Sequence, residues 1–202
     1  MKAPHVVRGY GPLDLFLAKQ RCKAAKRQIK LAGKHGRILD IGCGAYPLFL
    51  VTIDFSEKYG LDKIAQNDHV SKVKERGITL VSCEIEKEER IPFENDYFDV
   101  VSMLAVFEHI EVERLVKIHK EIYRILKPGG MYIMTTPAFW SGRLLRFLAK
   151  IRLISEVEIK EHKGSYNFSK ISSVLQQACF EKDRLRFGYF EIFMNTWVTA
   201  TK

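Results

Sequence analysis

The chain has 202 residues, 47% of them hydrophobic and 28% charged, and a mean hydropathy of -0.13, which is typical of one globular domain with a sizeable core. No apolar run reaches the roughly 18 residues of a membrane span, and residues 1–11 carry no apolar leader, so we expect a cytoplasmic protein. The net charge of +9 favours anionic partners, and the absence of a CxxC pair among the four cysteines excludes zinc-site and disulfide-framework patterns.

The first predicted element is a basic helix over residues 12–32. Residues 1–37 hold ten Lys or Arg and a single acid, Asp14, whereas the rest of the chain holds 23 basic and 23 acidic residues. We therefore predict a basic helical N-terminal arm at 1–36, followed by a domain at 37–202. Such an arm favours phosphates, an anionic membrane surface or an acidic substrate, and a solvated helix face without a partner is an equal alternative.

Short apolar runs then alternate with helical patterns along the chain. Continuous apolar runs are typical of strands covered on both faces, and the intervening helices imply right-handed crossovers between parallel strands. The pattern predicts an α/β fold with a doubly wound, mostly parallel seven-stranded sheet and helices on both faces. The predicted strands are 37–42, 58–64, 78–85, 98–104, 130–136 and two closing strands from residue 184, broken near Gly188; the predicted helices include 112–126 and one from an N-cap at Ser169 to Ala178.

The sequence ILDIGCGAYPLF, residues 38–49, contains a glycine loop directly after the first predicted strand. In open α/β sheets, ligands bind at the carboxyl ends of the strands. Gly42 and Gly44 let the main chain turn sharply and approach such a ligand closely. Pro47 stands where a dinucleotide-binding loop has its third glycine. This change removes the helix contact used to seat a pyrophosphate, and it indicates a helix that begins at once.

Two acids indicate which ligand this loop holds. Asp40, two residues before Gly42, repels phosphate but accepts hydrogen bonds around a cationic ligand that carries an ammonium group. Asp62 ends the second predicted strand, about 20 residues beyond the loop, which is the interval at which an acid binds ribose hydroxyls. The sequence therefore favours a positively charged nucleoside cofactor. A tight structural turn is the alternative for the glycine pair taken alone.

The motifs ILDIGCG, GLD, VFEHI and RILKPGG, the last followed by a strand and Pro137, occur in this order between about Ile38 and Phe180. In this series the chain resembles the class I S-adenosylmethionine-dependent methyltransferases, especially the small-molecule and quinone-biosynthesis methyltransferases of the type 11 group. The resemblance implies a Rossmann-like methyltransferase fold with a helical lid. It also implies S-adenosylmethionine as the cofactor.

The resemblance further implies how the cofactor is held. Asp40 and the glycine loop would surround its methionine part, and Asp62 would bind both ribose hydroxyls. Tyr46 departs from the family's G-x-G-x-G pattern, which leaves the fine shape of the loop open. The implied cofactor-binding residues are Asp40, Gly42, Cys43, Gly44, Asp62, Lys63, Glu84, Ile85 and Leu104, with Lys63, Glu84 and the Ile85 backbone at the adenine.

Methyl transfer needs an aligned nucleophile and, for a hydroxyl acceptor, a base that removes its proton. His109, just beyond the fourth predicted strand, is the candidate catalytic base, and a helix-start histidine bonded to nearby backbone is the equal alternative. The quinone O-methyltransferases that the chain resembles can carry E-x-x-E-H here, associated with a divalent metal. Ala105 replaces the first carboxylate, and Glu108 and His109 alone make a weak site, so we predict no required metal.

Residues 138–165 form a predicted lid insertion after the fifth strand. Its amphipathic helix has an apolar face flanked by basic residues, which is typical of interfacial helices on anionic membranes, and a lid packed on the domain itself is at least as well supported. The apolar residues are Trp140, Leu144, Phe147, Leu148 and Ile151, and the basic ones are Arg143, Arg146, Lys150 and Arg152. Trp140, His162 and Tyr166 are the predicted substrate contacts, with an ordinary surface-loop role as the alternative for His162 and Tyr166.

These features together predict an S-adenosylmethionine-dependent methyltransferase that acts on a small, apolar acceptor and contacts an anionic membrane peripherally. Two alternatives stay open. An RNA methyltransferase would use the basic arm to hold phosphates, although no NPPY-like or Pro-Cys motif follows the fourth strand. A catalytically inactive interaction module would keep only the fold, which Tyr46 and Ala105 allow.

Overall fold

The computed structural model describes residues 13–63, 73–151, 153–154, 163–164 and 166–202, without the side chains of 143 and 147–149. The helices are α1 (Asp14–Leu31), α2 (Leu48–Thr52), α3 (Val112–Ile125), α4 (Gly142–Lys150) and α5 (Phe168–Gln177), with 3-10 turns at Phe107–His109 and Lys182–Arg184. The strands are β1 (Arg37–Ile41), β2 (Glu57–Asp62), β3 (Ile78–Ser82), β4 (Phe98–Leu104), β5 (Leu126–Pro137), β6 (Leu185–Phe190) and β7 (Asn195–Thr201).

The seven strands form one sheet in the order β3-β2-β1-β4-β5-β7-β6. The first five strands in this order run parallel, and in the register of β1 Leu39 pairs with Tyr59 on one side and with Val101 on the other. Strand β7 is antiparallel to both β5 and β6. The predicted doubly wound, mostly parallel seven-stranded sheet is therefore confirmed.

Helices cover both faces of this sheet, which explains the continuous apolar runs of the strands. On one face, α3 and α5 pack over side chains that include Leu39 and Tyr132. On the other, α1 and α2 pack over Ile38 and Ile133. Successive residues of one strand thus enter different cores, because side chains alternate across a strand.

Several predicted boundaries differ from the structure. The N-cap of α5 is Asn167 instead of Ser169, because the Asn167 side chain accepts a hydrogen bond of 2.9 Å from the backbone N–H of Lys170. The closing strands are interrupted at residues 191–194, whereas Gly188 lies inside β6 and pairs with Trp197. Helix α3 ends at Ile125, one residue before its predicted end.

Helix α1 belongs to the packed body of the protein. Its residues Ala18, Cys22, Ala25 and Ile29 are buried, and it contacts β4, β5 and β7. The division into an arm at 1–36 and a domain at 37–202 stays a prediction. Among the helices of the described residues, none is both long and apolar enough to cross a membrane.

The sheet topology gathers several chain segments at one edge. The carboxyl ends of β1, β2, β4 and β5 meet there because these strands are parallel. The turn between β6 and β7 lies at the same edge, since Asn195 at the start of β7 pairs with Pro137 at the end of β5.

Candidate functional site

The glycine loop after β1 is hydrogen-bonded to the end of β2. The backbone N–H of Gly42 donates to the carbonyl oxygen of Leu61 at 2.7 Å, and the N–H of Gly44 donates to Oδ2 of Asp62 at 3.0 Å. Asp62 is buried, as is Asp40 at the other end of the loop. Two predicted cofactor acids and both glycines are therefore brought together at the carboxyl edge of the sheet.

The two glycines serve different purposes, although both have left-handed backbone, with φ of +73° at Gly42 and +71° at Gly44. A Cβ atom on Gly42 would lie 2.3 Å from Cγ2 of Val106, so the close approach of two segments requires glycine there. A Cβ atom on Gly44 would meet nothing within 4 Å. The outer side of the loop at Gly44 is therefore open, as a site that receives a ligand requires.

Asp40 is held in a dry environment beneath the loop. Its side chain is 4% exposed, and the Ser102 hydroxyl lies 2.7 Å from Asp40 Oδ1 and 3.2 Å from the carbonyl oxygen of Leu39. Burial raises the pKa of Asp40 to about 7, with a smaller upward contribution from Asp62, and the Ser102 hydrogen bond opposes this rise. A cation bound above the loop would favour ionised Asp40, so the loop suits a positively charged ligand.

The predicted adenine-side residues follow the ends of β2 and β3. Lys63 is exposed directly after Asp62, and the backbone N–H of Cys83 donates to the carbonyl oxygen of Asp62 at 3.2 Å, so that Glu84 comes next to this strand end. The Glu84 carboxylate forms an ion pair of 3.0 Å with Lys87. Ile85 is partly buried against the core. These positions are compatible with contacts to an adenine ring. The contacts themselves stay a prediction.

The side chains of Cys43 and Leu104, two further predicted cofactor-binding residues, pack against the core. Cys43 is buried, with its sulfur packed beside Gly60 of β2, and burial raises the pKa of its thiol. Leu104 ends β4 and is partly buried against the core on the α1 face. A contact of Cys43 with a ligand would therefore involve its backbone.

The segment after β4 carries the predicted base. Ala105 has left-handed backbone with φ of +56°, which is uncommon for a residue with a side chain, and its N–H donates to the carbonyl oxygen of Thr135 at 2.9 Å. The 3-10 turn follows, with Glu108 buried and His109 partly buried, and the His109 N–H donates to the carbonyl oxygen of Val106 at 2.9 Å. Since Val106 covers Gly42, His109 lies at the same edge of the sheet as the loop.

The predicted substrate contacts have different surroundings. Tyr166 is 6% exposed and packs against Phe107 at 4.8 Å between ring centroids, and its hydroxyl oxygen has no hydrogen-bond partner among the described residues. Burial raises the pKa of Tyr166, and the nearby carboxylate of Glu108 adds to this rise. Trp140 is 45% exposed and contacts Phe139 and Tyr189. His162 lies outside the described residues.

Two residues of this site were missed in the sequence. Ser102 binds Asp40, and its signal was a polar residue within the otherwise apolar run FDVVSML. Val106 closes over Gly42, but no local pattern indicates a contact between segments that are 64 positions apart. A further contact, the donation from the Lys163 N–H to the Glu108 carbonyl at 2.8 Å, joins the end of the predicted lid insertion to the turn that carries His109.

Comparisons with known proteins agree with this geometry. Residues 39–134 match a family model described as a methyltransferase domain. The chain is 36% identical over 103 residues to sterol 4-C-methyltransferase strm-1 of Caenorhabditis elegans, covering 48% of this chain and 29% of that protein. It is 30% identical over 133 residues to the ubiquinone/menaquinone biosynthesis C-methyltransferase UbiE of Geotalea daltonii, covering 57% and 52%. The chain thus spans about half or less of the length of these curated relatives.

Solved structures show the same fold. A SAM-dependent methyltransferase from Thermotoga maritima aligns with a TM-score of 0.68 at 18% identity, covering 93% of this chain and 92% of that one. A SAM-dependent methyltransferase from Archaeoglobus fulgidus aligns with a TM-score of 0.62 at 18% identity, covering 93% and 98%. The chain is therefore similar to S-adenosylmethionine-dependent methyltransferases, in sequence over residues 39–134 and in fold over most of its length.

Proposed function

We propose that this chain transfers the methyl group of S-adenosylmethionine to a small, apolar acceptor. The observation that carries the proposal is the donor loop, in which Gly44 is bonded to Asp62 and Asp40 is buried directly beneath. S-adenosylmethionine brings an activated methyl group on a sulfonium centre, so the protein needs only to bind, orient and exclude water.

Asp62 and Asp40 have separate tasks in this proposal. Asp62 accepts hydrogen bonds from the two ribose hydroxyls, while Asp40 and the backbone of Gly42, Cys43 and Gly44 surround the methionine part. Because the pKa of Asp40 is raised to about 7 by burial, a positive ligand is needed to hold it fully ionised near neutral pH. The loop is thereby selective for a cation. Lys63, Glu84, Ile85 and Leu104 complete the site around the adenine and the donor.

His109 is the proposed base for an acceptor that must lose a proton. Its place at the loop edge, fixed by the hydrogen bond to Val106, supports this role. A base of this kind contributes about 100-fold or more to the rate. We also propose that no divalent metal is required, because Ala105 stands where a first carboxylate ligand would be. An unchanged rate in the presence of a chelator is the expected result.

Tyr166 is the proposed polar contact for the acceptor. A buried hydroxyl is costly without a hydrogen bond, and an acceptor oxygen would supply one. Tyr166 contacts Phe107, which belongs to the same 3-10 turn as His109, so the two candidate residues lie on neighbouring segments. Trp140 and His162 stay proposed contacts at the lid.

The acceptor class is supported by the lid and by the relatives. The names of the two relatives indicate sterol and quinone acceptors, which are apolar. In α4, Leu145 is buried against Leu13 and Leu17, so the helix packs partly on α1, while Leu144 and Ile151 are exposed. We propose a cytoplasmic protein whose α4 contacts an anionic membrane peripherally, with Arg146 and Lys150 exposed beside these apolar side chains.

The direct test supplies labelled S-adenosylmethionine with a sterol, a prenylated quinol, a water-soluble phenol and transfer RNA as separate acceptors. We expect label in the sterol or quinol fraction. Label in RNA would support the alternative RNA methyltransferase. Donor binding without transfer to any acceptor would support an inactive module that keeps only the cofactor site.

A further inference from the structure

The turn between β6 and β7, residues 191–194, presents apolar side chains to water. We call it the hairpin tip. Ile192 is 92% exposed and Phe193 is 63% exposed, which are high values for large apolar side chains among the described residues. Large apolar residues that protrude together are typical of a surface that contacts a partner.

Hydrogen bonds hold both ends of the hairpin tip. Glu191, Ile192 and Phe193 have left-handed backbone, with φ of 52°, 54° and 65°, although a β-branched residue such as Ile192 seldom adopts it. The Asn195 side chain donates to the Glu191 carboxylate, and the N–H of Ala138 donates to the carbonyl oxygen of Met194 at 2.9 Å. The conformation that points Ile192 and Phe193 outward is therefore fixed by the surrounding structure.

The hairpin tip continues into a row of aromatic side chains. The ring centroids of Phe193 and Tyr189 are 5.7 Å apart, those of Tyr189 and Trp140 are 5.1 Å apart, and those of Trp140 and Phe139 are 5.4 Å apart. All four residues are more than one third exposed. Aromatic residues with a polar end, such as Trp140 and Tyr189, are enriched where proteins meet the membrane interface.

The elements beside the hairpin tip are basic. Helix α1 contains six Lys or Arg and one acid, Asp14, which is buried. Arg21 of this helix is close enough to favour the ionised form of Glu191, although burial dominates and raises the pKa of that carboxyl. Helix α4 packs against Leu13 and Leu17 at the start of α1. It contains basic residues and no acid. An apolar projection with basic neighbours complements an anionic lipid surface.

We propose that Ile192 and Phe193 insert into an anionic lipid bilayer and dock the protein on it. This proposal rests on the proposed function, because the hairpin tip lies at the same edge of the sheet as the donor loop. Docking there would turn the acceptor side of the site toward the membrane, so that an apolar acceptor passes from lipid to protein without crossing water.

Cosedimentation with vesicles tests the proposal, using equal amounts of phosphatidylglycerol and phosphatidylcholine, or phosphatidylcholine alone. We expect the wild type to sediment with the anionic vesicles, less so at high salt, and the Ile192→Asn, Phe193→Asn double variant to bind them at least about 10-fold more weakly. Because Asn tolerates left-handed backbone well, this variant should unfold at an equal or higher urea concentration than the wild type. Loss of binding then reflects lost lipid contacts.

Two control variants sharpen the result. Ile192→Leu with Phe193→Leu keeps the apolar surface and should bind like the wild type, as should Leu31→Asn, which removes an exposed apolar residue at the other end of α1. Failure of the wild type to bind anionic vesicles, or binding by the Asn variant equal to that of the wild type, would overturn the proposal. The proposed function is judged separately, by S-adenosylmethionine calorimetry without vesicles, which the hairpin-tip variants should leave unchanged.

Discussion

The proposed donor side and the proposed acceptor side of this edge are built in opposite ways. At the donor loop, buried acids are fixed by short polar contacts, as between Ser102 and Asp40 and between Gly44 and Asp62. Near the proposed acceptor side, aromatic and apolar residues such as Trp140 and Ile192 are exposed. The difference suggests a donor site built for one constant charged ligand, next to a surface whose chemistry suits an apolar partner.

Burial of an acid beneath the proposed donor loop makes the stability of the fold depend on pH. Burial of Asp40 raises its pKa from 3.8 to about 7, and a group whose folded pKa is raised makes the fold more stable when protonated. That stability is present below pH 4 and is lost as pH rises through about 7.

The largest predicted effect concerns the Asp40→Asn variant, in which residue 40 can no longer ionise. The stability of the ligand-free wild type relative to Asp40→Asn should fall by about 4 kcal/mol as pH rises from about 4 to about 8, since Asn cannot ionise. Urea unfolding of both proteins across this range measures the difference. Saturating S-adenosylmethionine should reduce the fall, because its positive charge favours ionised Asp40.

The matched control for this comparison is Asp54→Asn, which changes an exposed acid between α2 and β2. Its stability relative to the wild type should stay nearly constant with pH. A flat difference for Asp40→Asn as well would contradict the proposed burial of an acid beneath the loop.

His109→Ala should affect chemistry without affecting donor binding. We expect kcat for a hydroxyl acceptor to fall about 100-fold, because the base is lost, while calorimetric affinity for the donor stays the same. His35→Ala is the control, since His35 is exposed before β1 and should leave kcat unchanged. An undiminished rate in His109→Ala would remove this residue as the base.

The smallest predicted effect is a difference in stability between alanine variants of the two loop glycines, Gly42 and Gly44. Alanine at either position strains left-handed backbone, but only at Gly42 would it also collide with Val106. We therefore expect Gly42→Ala to destabilise the protein by about 2 kcal/mol more than Gly44→Ala. Val106→Ala should relieve much of this excess in a double-mutant cycle measured by urea unfolding. Equal stabilities for the two glycine variants would show that the contact with Val106 is not restrictive.

Much of the fold, and the residues that meet at the candidate donor site, can be predicted from the sequence, because local patterns encode them. Apolar runs placed the parallel strands, and the helix predicted at 12–32 is present as Asp14–Leu31. The glycine loop and Asp62 were found because loop and strand end lie at fixed positions in such a sheet. Buried strands and helices of this kind leave a regular spacing of apolar residues in the sequence.

The remaining features depend on contacts between distant segments. Ser102 and Val106 reach the donor loop only after β4 pairs with β1, so their roles follow from topology. The sequence predicts a strand at the hairpin tip, because β-branched and aromatic residues favour strands. The fixed ends of β6 and β7 override that preference and place Ile192 in left-handed backbone.

Calorimetric titration with S-adenosylmethionine tests the central claim most directly, comparing the wild type with Asp62→Ala and with Asp54→Ala. If Asp62 holds both ribose hydroxyls, its loss should weaken binding by about 100-fold or more, because two hydrogen bonds to a charged group disappear. Asp54→Ala should bind like the wild type, and circular dichroism should show all three proteins folded. Wild-type affinity in Asp62→Ala would contradict a donor held at the ends of β1 and β2.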